Sequence, residues 1–156
     1  MKLFLNLQTL YSSKNQPSKA QFQQWVAMAL KQAQYSLSPV SLTLRLVDLE
    51  ESQQLNHQYK KKNKPTNVLA FPALMIPGHQ ENYLGDIVIC APIVEKEAQE
   101  QNISTEAHWA HLIIHGTLHL LGFDHEEDQD AEKMEELEIR ILENLNYPNP
   151  YSAPEK

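Results

Sequence analysis

A chain of 156 residues with 42% hydrophobic content can bury one ordinary core and leaves little room for a second, so residues 1–156 read as a single domain. Its net charge of −7 argues against a surface that is basic all round, but the sum hides a segregation. Residues Asp124 to Glu143 hold ten acids and two bases, a local balance of −8, whereas Lys60, Lys61, Lys62 and Lys64 put four positive charges within five residues. No apolar run approaches the roughly 20 residues of a membrane span. Cys90 is the only cysteine, which excludes an internal disulfide, and together these features point to the cytoplasm.

Met1 to Leu7 lacks a small-residue cleavage site, and residues 3–9 read as a first strand rather than a leader. Ser12 to Pro17 is a polar break, with Pro17 suited to the first turn of a helix. Phe22, Trp25, Val26, Ala29, Leu30 and Ala33 recur at helical spacing. After Pro39, Val40, Leu42, Leu44 and Leu46 alternate with Ser41, Thr43 and Arg45, which predicts a half-buried strand over 40–48. A short helix over 49–59 and a basic loop from Lys60 to Thr66 follow. Asn67 to Phe71 is a short strand ended by Pro72, and 73–82 is an irregular connection containing Pro77 and Gly78.

Tyr83 to Cys90 is a fourth strand, in which Cys90 reads as a buried, inert thiol. Residues 92–101 carry helical spacing. Ser104 as N-cap and Gly122 as the residue past the C-terminus frame a helix at about 105–121. Ala131, Met134, Leu137, Ile141, Leu142 and Leu145 form the apolar stripe of a last helix, whose acids fall mainly on the other face. The tail beyond about residue 147 is expected to fray. Strands early and helices late predict an α+β fold with one small mixed sheet packed by helices.

The most informative stretch is His115-Gly116-Thr117-Leu118-His119-Leu120-Leu121-Gly122-Phe123-Asp124-His125. Histidines four apart lie about 40° apart around a helix and one turn above each other, so their imidazoles can converge on one ion. Gly122 lets the chain turn back and bring His125 in as a third ligand. Three histidines with an open fourth position describe a catalytic zinc site, one Zn2+ per chain, on a late central helix. The spacing is that of the zincins, with one departure. The residue after the first histidine should be the glutamate base of a protease and is Gly116 here. His108 reads as part of a half-buried aromatic face. His111 stays open between that role and a support or alternate ligand at the edge of the site. His57 and His79 read as surface residues.

Four segments carry a resemblance: Leu55 to Tyr59 with the lysines after it, Lys64-Pro65-Thr66-Asn67-Val68-Leu69-Ala70-Phe71-Pro72, Leu84-Gly85-Asp86-Ile87-Val88-Ile89, and His115 to His125. In order and spacing they resemble the YbeY family of bacterial endoribonucleases, the rRNA maturation factors. The resemblance implies a zincin-like, metal-dependent RNase specific for single strands. It also implies action on a 16S rRNA precursor at its 3′ end, a part in ribosome quality control, small-subunit proteins as partners, and His115, His119 and His125 as metal ligands. Where the family carries an arginine after the tyrosine this chain has Lys60, which offers a point charge in place of a planar fork. The family's Leu-Ser-Phe is Leu69-Ala70-Phe71, so no hydroxyl is available at position 70.

Lys60 is therefore the candidate for neutralising a phosphate during cleavage, and Asp86 and Asp124 are the candidates for a general base. Each acid has a plainer role: a buried hydrogen bond for Asp86, and orientation of a histidine or capping of the next helix for Asp124. Two other functions fit parts of the pattern. One is a metalloprotease or amidase on the same scaffold, which the histidines favour and Gly116 with the lysines oppose. The other is a non-catalytic, zinc-containing ribosome assembly factor.

Overall fold

A computed structural model describes residues 2–73, 82–123 and 127–151. In chain order the elements are β1 (Leu3–Thr9), α1 (Lys19–Gln32), β2 (Val40–Val47), α2 (Leu49–Lys60), β3 (Val68–Pro72), β4 (Tyr83–Cys90), α3 (Ala91–Gln101), α4 (Thr105–Leu120) and α5 (Asp128–Asn144). The sequence of strands and helices is the expected one, and the architecture is mixed α+β. The four strands form one sheet in the order β1-β2-β4-β3. β1 and β2 are parallel, as are β2 and β4, and β3 runs antiparallel to β4.

Alternation along the strands sorts the side chains onto two faces. Leu42, Leu44, Leu46, Ile87 and Ile89 face Phe22, Trp25, Val26 and Leu30 of α1 and Trp109, Ile113, Ile114 and Leu118 of α4, and Met134, Ile141 and Leu142 of α5 complete this larger core. Val47, Leu69, Val88 and Cys90 form a smaller core on the opposite face with Leu55 of α2 and Ile93 of α3. Cys90 is buried, and burial pushes its thiol up in pKa, as an inert side chain requires.

Four departures from expectation lie in these strands and helices. β2 is more buried than a half-buried strand: Thr43 and Val47 are buried, Ser41 and Arg45 are part-buried, Val47 joins the smaller core, and the polar side chains find partners. The Thr43 hydroxyl donates to the Tyr83 hydroxyl oxygen at 2.8 Å, and Arg45 Nε donates to Glu51 at 2.5 Å. Pro17 precedes α1 instead of opening it. Ser18 is the N-cap and exchanges hydrogen bonds with Gln21, so the start is set by a capping box. Lys60 closes α2 and does not belong to the loop, which begins at Lys61 in left-handed backbone (φ 61°). Pro72 is the last residue of β3, an edge strand, where a missing N–H is tolerated.

Pro72 pairs with Gly85, which holds φ +132°, a conformation that L side chains rarely adopt. A Cβ there would collide with the Phe71 carbonyl and lie 2.9 Å from Ala73 N. Replacing Gly85 by Ala is therefore expected to lower stability by on the order of 2 kcal/mol. Urea unfolding measures this, and a loss below about 0.5 kcal/mol would show that the β3–β4 pairing does not depend on glycine.

Candidate metal centre

Helix α4 is nearly surrounded by protein. Its start is set by Ser104, whose hydroxyl accepts from Ala107 N at 3.0 Å, with Glu106 in the first turn. From His108 to Leu120 every residue is buried except His111, His115 and His119. These three recur every four residues and so share one stripe. On the sheet side Gly116 lies against Ile87, and a Cβ there would come within 2.9 Å of Ile87 Cγ2. At the far end Gly122 N donates to His119 O at 3.0 Å and Phe123 N to Leu118 O at 3.1 Å, with Gly122 at φ +100°. This Schellman motif turns the chain back just after His119, as the glycine predicted.

The histidine stripe meets α5 at Glu138. His115 Nδ1 is 2.7 Å from Glu138 Oε2, and His111 Nε2 is 2.9 Å from Glu138 Oε1. The Tyr151 hydroxyl donates to the same Oε1 and lies 3.3 Å from His111 Nε2. Burial alone would raise the pKa of Glu138. The hydrogen bonds from His111 and His115, the charge of His115 and the Tyr151 hydroxyl outweigh it and bring the carboxyl down to about 2. Burial and the adjacent carboxylate push the Tyr151 hydroxyl well above its ordinary range, so it stays a donor. An ionised carboxylate only accepts, so the proton between Glu138 and His115 sits on Nδ1. In a neutral His115 the lone pair is then on Nε2.

That Nε2 lies 3.1 Å from Nε2 of His119. Two imidazole nitrogens each at about 2.0–2.1 Å from a tetrahedral ion would be roughly 3.4 Å apart, so the pair suits a shared metal. Among the described residues no group of three His, Cys, Asp or Glu side chains is arranged around an ion. His125, the expected third ligand, and Asp124 lie outside the described residues, as does His79.

The other candidates are placed as follows. His108 is buried with Nε2 2.9 Å from Glu97 of α3, a structural role. His111 spends its Nε2 on Glu138. His57 is exposed. Asp86 shares a sheet face with Thr43 and Val88, opposite the face where Ile87 meets α4, and takes a hydrogen bond from Tyr83. Burial and that bond push Tyr83 up to about 12. The structure thus does not bring Asp86 together with His115 and His119. Lys60 is exposed at the end of α2. The loop beyond it is tied down by Ser52, whose Oγ donates to Thr66 O at 2.7 Å, and by Asn56, whose side chain donates to Lys64 O at 2.9 Å. Asn67 then donates to Glu97 at 3.0 Å, and Glu97 holds His108, which links the basic segment to the histidine helix.

Two residues of the site went unnoticed in the sequence. Glu138 follows Met134 by four and precedes Leu142 by four, so it interrupts the apolar stripe of α5, and that was a readable sign. Tyr151 lies in the tail expected to fray. Instead Asn146 turns the chain at φ 69°, Tyr147 N bonds to Leu142 O at 2.8 Å, and the Tyr147 ring packs edge-on to Trp25 with its hydroxyl 2.7 Å from Glu106. These contacts anchor the chain as far as Tyr151 and carry that residue back to α4.

Comparison with known proteins gives concordant results. A family model described as endoribonuclease YbeY matches residues 6–146. A Colwellia psychrerythraea protein named endoribonuclease YbeY is 53% identical over 150 residues, covering 94% of this chain and 96% of its own length. The solution structure of TM1509 from Thermotoga maritima matches with a TM-score of 0.55 at 29% identity, covering 96% of this chain and 99% of that one.

The depressed pKa of Glu138 has a consequence for acid stability. A carboxyl at 4.5 when unfolded and about 2 when folded contributes stability above the unfolded value, and this is lost as pH falls through the folded one. The stability difference between wild type and Glu138→Gln should therefore shrink as pH falls from neutral through 4.5 toward 2. Urea unfolding of both proteins along that series tests it, and a difference independent of pH would show that Glu138 is not held ionised.

Proposed function

This chain belongs to the YbeY family of endoribonucleases, and on that premise we propose that it is a zinc-dependent endoribonuclease specific for single-stranded RNA. Its substrate in this reading is a 16S rRNA precursor cut near the 3′ end. Its setting is cytoplasmic maturation and quality control of the small ribosomal subunit, in contact with small-subunit proteins. The fold is read as zincin-like, with one Zn2+ per chain on His115, His119 and His125. No helix among the described residues is long and apolar enough to cross a membrane. The observation that carries the metal reading is the pair of Nε2 atoms 3.1 Å apart, one of them on a ring whose other nitrogen is held by a buried carboxylate.

When bound, the ion supplies Lewis-acid polarisation of a phosphoryl oxygen and brings the pKa of a water toward roughly 7. The chain's own residues do the rest. His115 and His119 offer imidazole nitrogens along one stripe of a rigid, buried helix. Lys60, with Lys61, Lys62 and Lys64 beside it, places positive charge where a phosphate backbone can be neutralised. Position 116, where a protease of this pattern carries its glutamate base, is a glycine pressed against Ile87, which supports RNA over peptide as substrate. With Asp86 on the opposite sheet face, Asp124 beside His125 is the remaining candidate for a base.

The purified protein is expected to carry about one metal ion per chain. It should cut single-stranded RNA in preference to duplex and leave casein intact. His115→Ala and His119→Ala should each lose stoichiometric metal. Elemental analysis with paired cleavage assays checks this. Wild-type metal content in both variants would remove the histidine site, and chelator-sensitive proteolysis without RNA cleavage would replace the reaction.

The role of Lys60 separates from that of its neighbours. Lys60→Ala should slow single-turnover cleavage more than it weakens binding, and Lys62→Ala should mainly weaken binding. Removal of one phosphate-contacting lysine should lower the salt slope of binding by roughly one unit. Lys60→Arg should keep or raise the rate, because the guanidinium fork suits a pair of phosphoryl oxygens. If Lys60→Ala cleaves saturating RNA at the wild-type rate, Lys60 has no part in the chemistry.

A further inference from the structure

Glu138 is the only carboxylate fully buried among the described residues, at 0% exposure. It occupies a position on α5 between Met134 and Leu142 that packing would fill with an apolar side chain. Burying a charge costs more than burying a methylene group unless the charge is fully bonded. Here it is. Oε2 takes His115 Nδ1, and Oε1 takes both His111 Nε2 and the Tyr151 hydroxyl. Three donors, two from α4 and one from the anchored C-terminal segment, leave the carboxylate one orientation. The second ring nitrogen of His115 lies beside an imidazole nitrogen of His119.

We propose that Glu138 is a positioning residue for the metal site: it keeps the proton of His115 on Nδ1 so that Nε2 presents its lone pair beside Nε2 of His119. His111 and Tyr151 hold Glu138 in place and do not bind the ion. The proposal rests on the metal-site reading above and extends it to residues outside the ligand set. A carboxylate behind a ligand histidine sets its tautomer and raises its basicity, and loss of such a partner usually weakens metal binding by 10–100-fold.

The substitution Glu138→Gln gives an asymmetric test. The amide offers one oxygen and one NH2, and two donors, His111 and Tyr151, compete for the oxygen on their side. The NH2 is then turned to His115 Nδ1, which must accept, and the proton moves to Nε2, where it blocks the ion. Full-length wild type, Glu138→Gln and Tyr151→Phe are to be compared by two measurements. The first is long-range 1H–15N correlation of the histidine rings in metal-free protein at mildly alkaline pH, where imidazole is neutral. The second is zinc affinity by competition with a chromogenic chelator.

Wild type should show His115 as the Nδ1–H tautomer. Glu138→Gln should shift it toward Nε2–H and weaken zinc binding by about 10–100-fold. Tyr151→Phe, which keeps the carboxylate, should leave the tautomer unchanged and weaken zinc binding by less than about tenfold. Wild-type His115 found as Nε2–H overturns the proposal whatever the variants do, including the case in which Glu138→Gln fails to fold. Unchanged zinc affinity and tautomer in a folded Glu138→Gln overturn it as well, and reduce Glu138 to a packing residue. If wild type binds no zinc at all, the metal-site reading falls and this role falls with it, while the tautomer shift shows separately whether Glu138 governs His115.

Discussion

Between α4 and the sheet there is room at position 116 for a hydrogen and for little more. Gly116 brings the helix backbone down onto Ile87, and from that contact the rest of α4 takes its depth in the molecule. A helix seated so deeply buries nearly every side chain it carries, with Trp109, Ile113, Ile114 and Leu118 on the sheet side and against α1. What remains is one stripe, and the sequence places histidine at each of its three turns. The close approach therefore makes the stripe rigid and half-buried at once, as a site that holds two imidazoles at fixed separation requires.

The same depth creates an electrostatic problem whose solution shapes the C-terminal half of the chain. Imidazoles that face inward need polar partners, since buried polar groups without them are costly. Glu97 of α3 meets His108, and Glu138 of α5 meets His111 and His115. Each acid belongs to a helix that packs on α4, so helix packing and hydrogen bonding reinforce each other. The return of the chain after α5 serves the same end. Asn146 and Tyr147 turn and anchor it, and Tyr151 supplies the third donor to Glu138. Among the described residues the acids of α5 are thus mostly a solvated face, with Glu138 turned inward.

The basic segment is an ordered ledge rather than a loose loop. Ser52 and Asn56, both buried in α2, bond to the backbone of Thr66 and Lys64, and Asn67 bonds to Glu97. Lysines on a fixed ledge lose less freedom on meeting a phosphate backbone than lysines on a disordered loop. Family membership implies RNA as substrate, and the ledge is joined to the histidine helix through Glu97 and His108.

Much of this was legible along the chain, because it depends on neighbours in sequence. The order of elements follows from periodicity, α4 from Ser104 and Gly122, and the pairing of His115 with His119 from their spacing of four. What spacing could not decide was anything that required knowing which face meets which element. Asp86 and Ile87 are adjacent, yet pleating sends them to opposite faces, and only the packing of α4 on one face separates the acid from the histidines. β2 alternates like a half-buried strand, and the second core on the other sheet face buries Val47 as well. Glu138 broke the apolar stripe of α5 in plain view, but its partners stand 23 and 27 residues away, and Tyr151 is reached only after the chain has turned. Residue type and local period determined that this chain carries a helix with converging histidines. Long-range contacts, which no local pattern encodes, decided which carboxylate stands behind them.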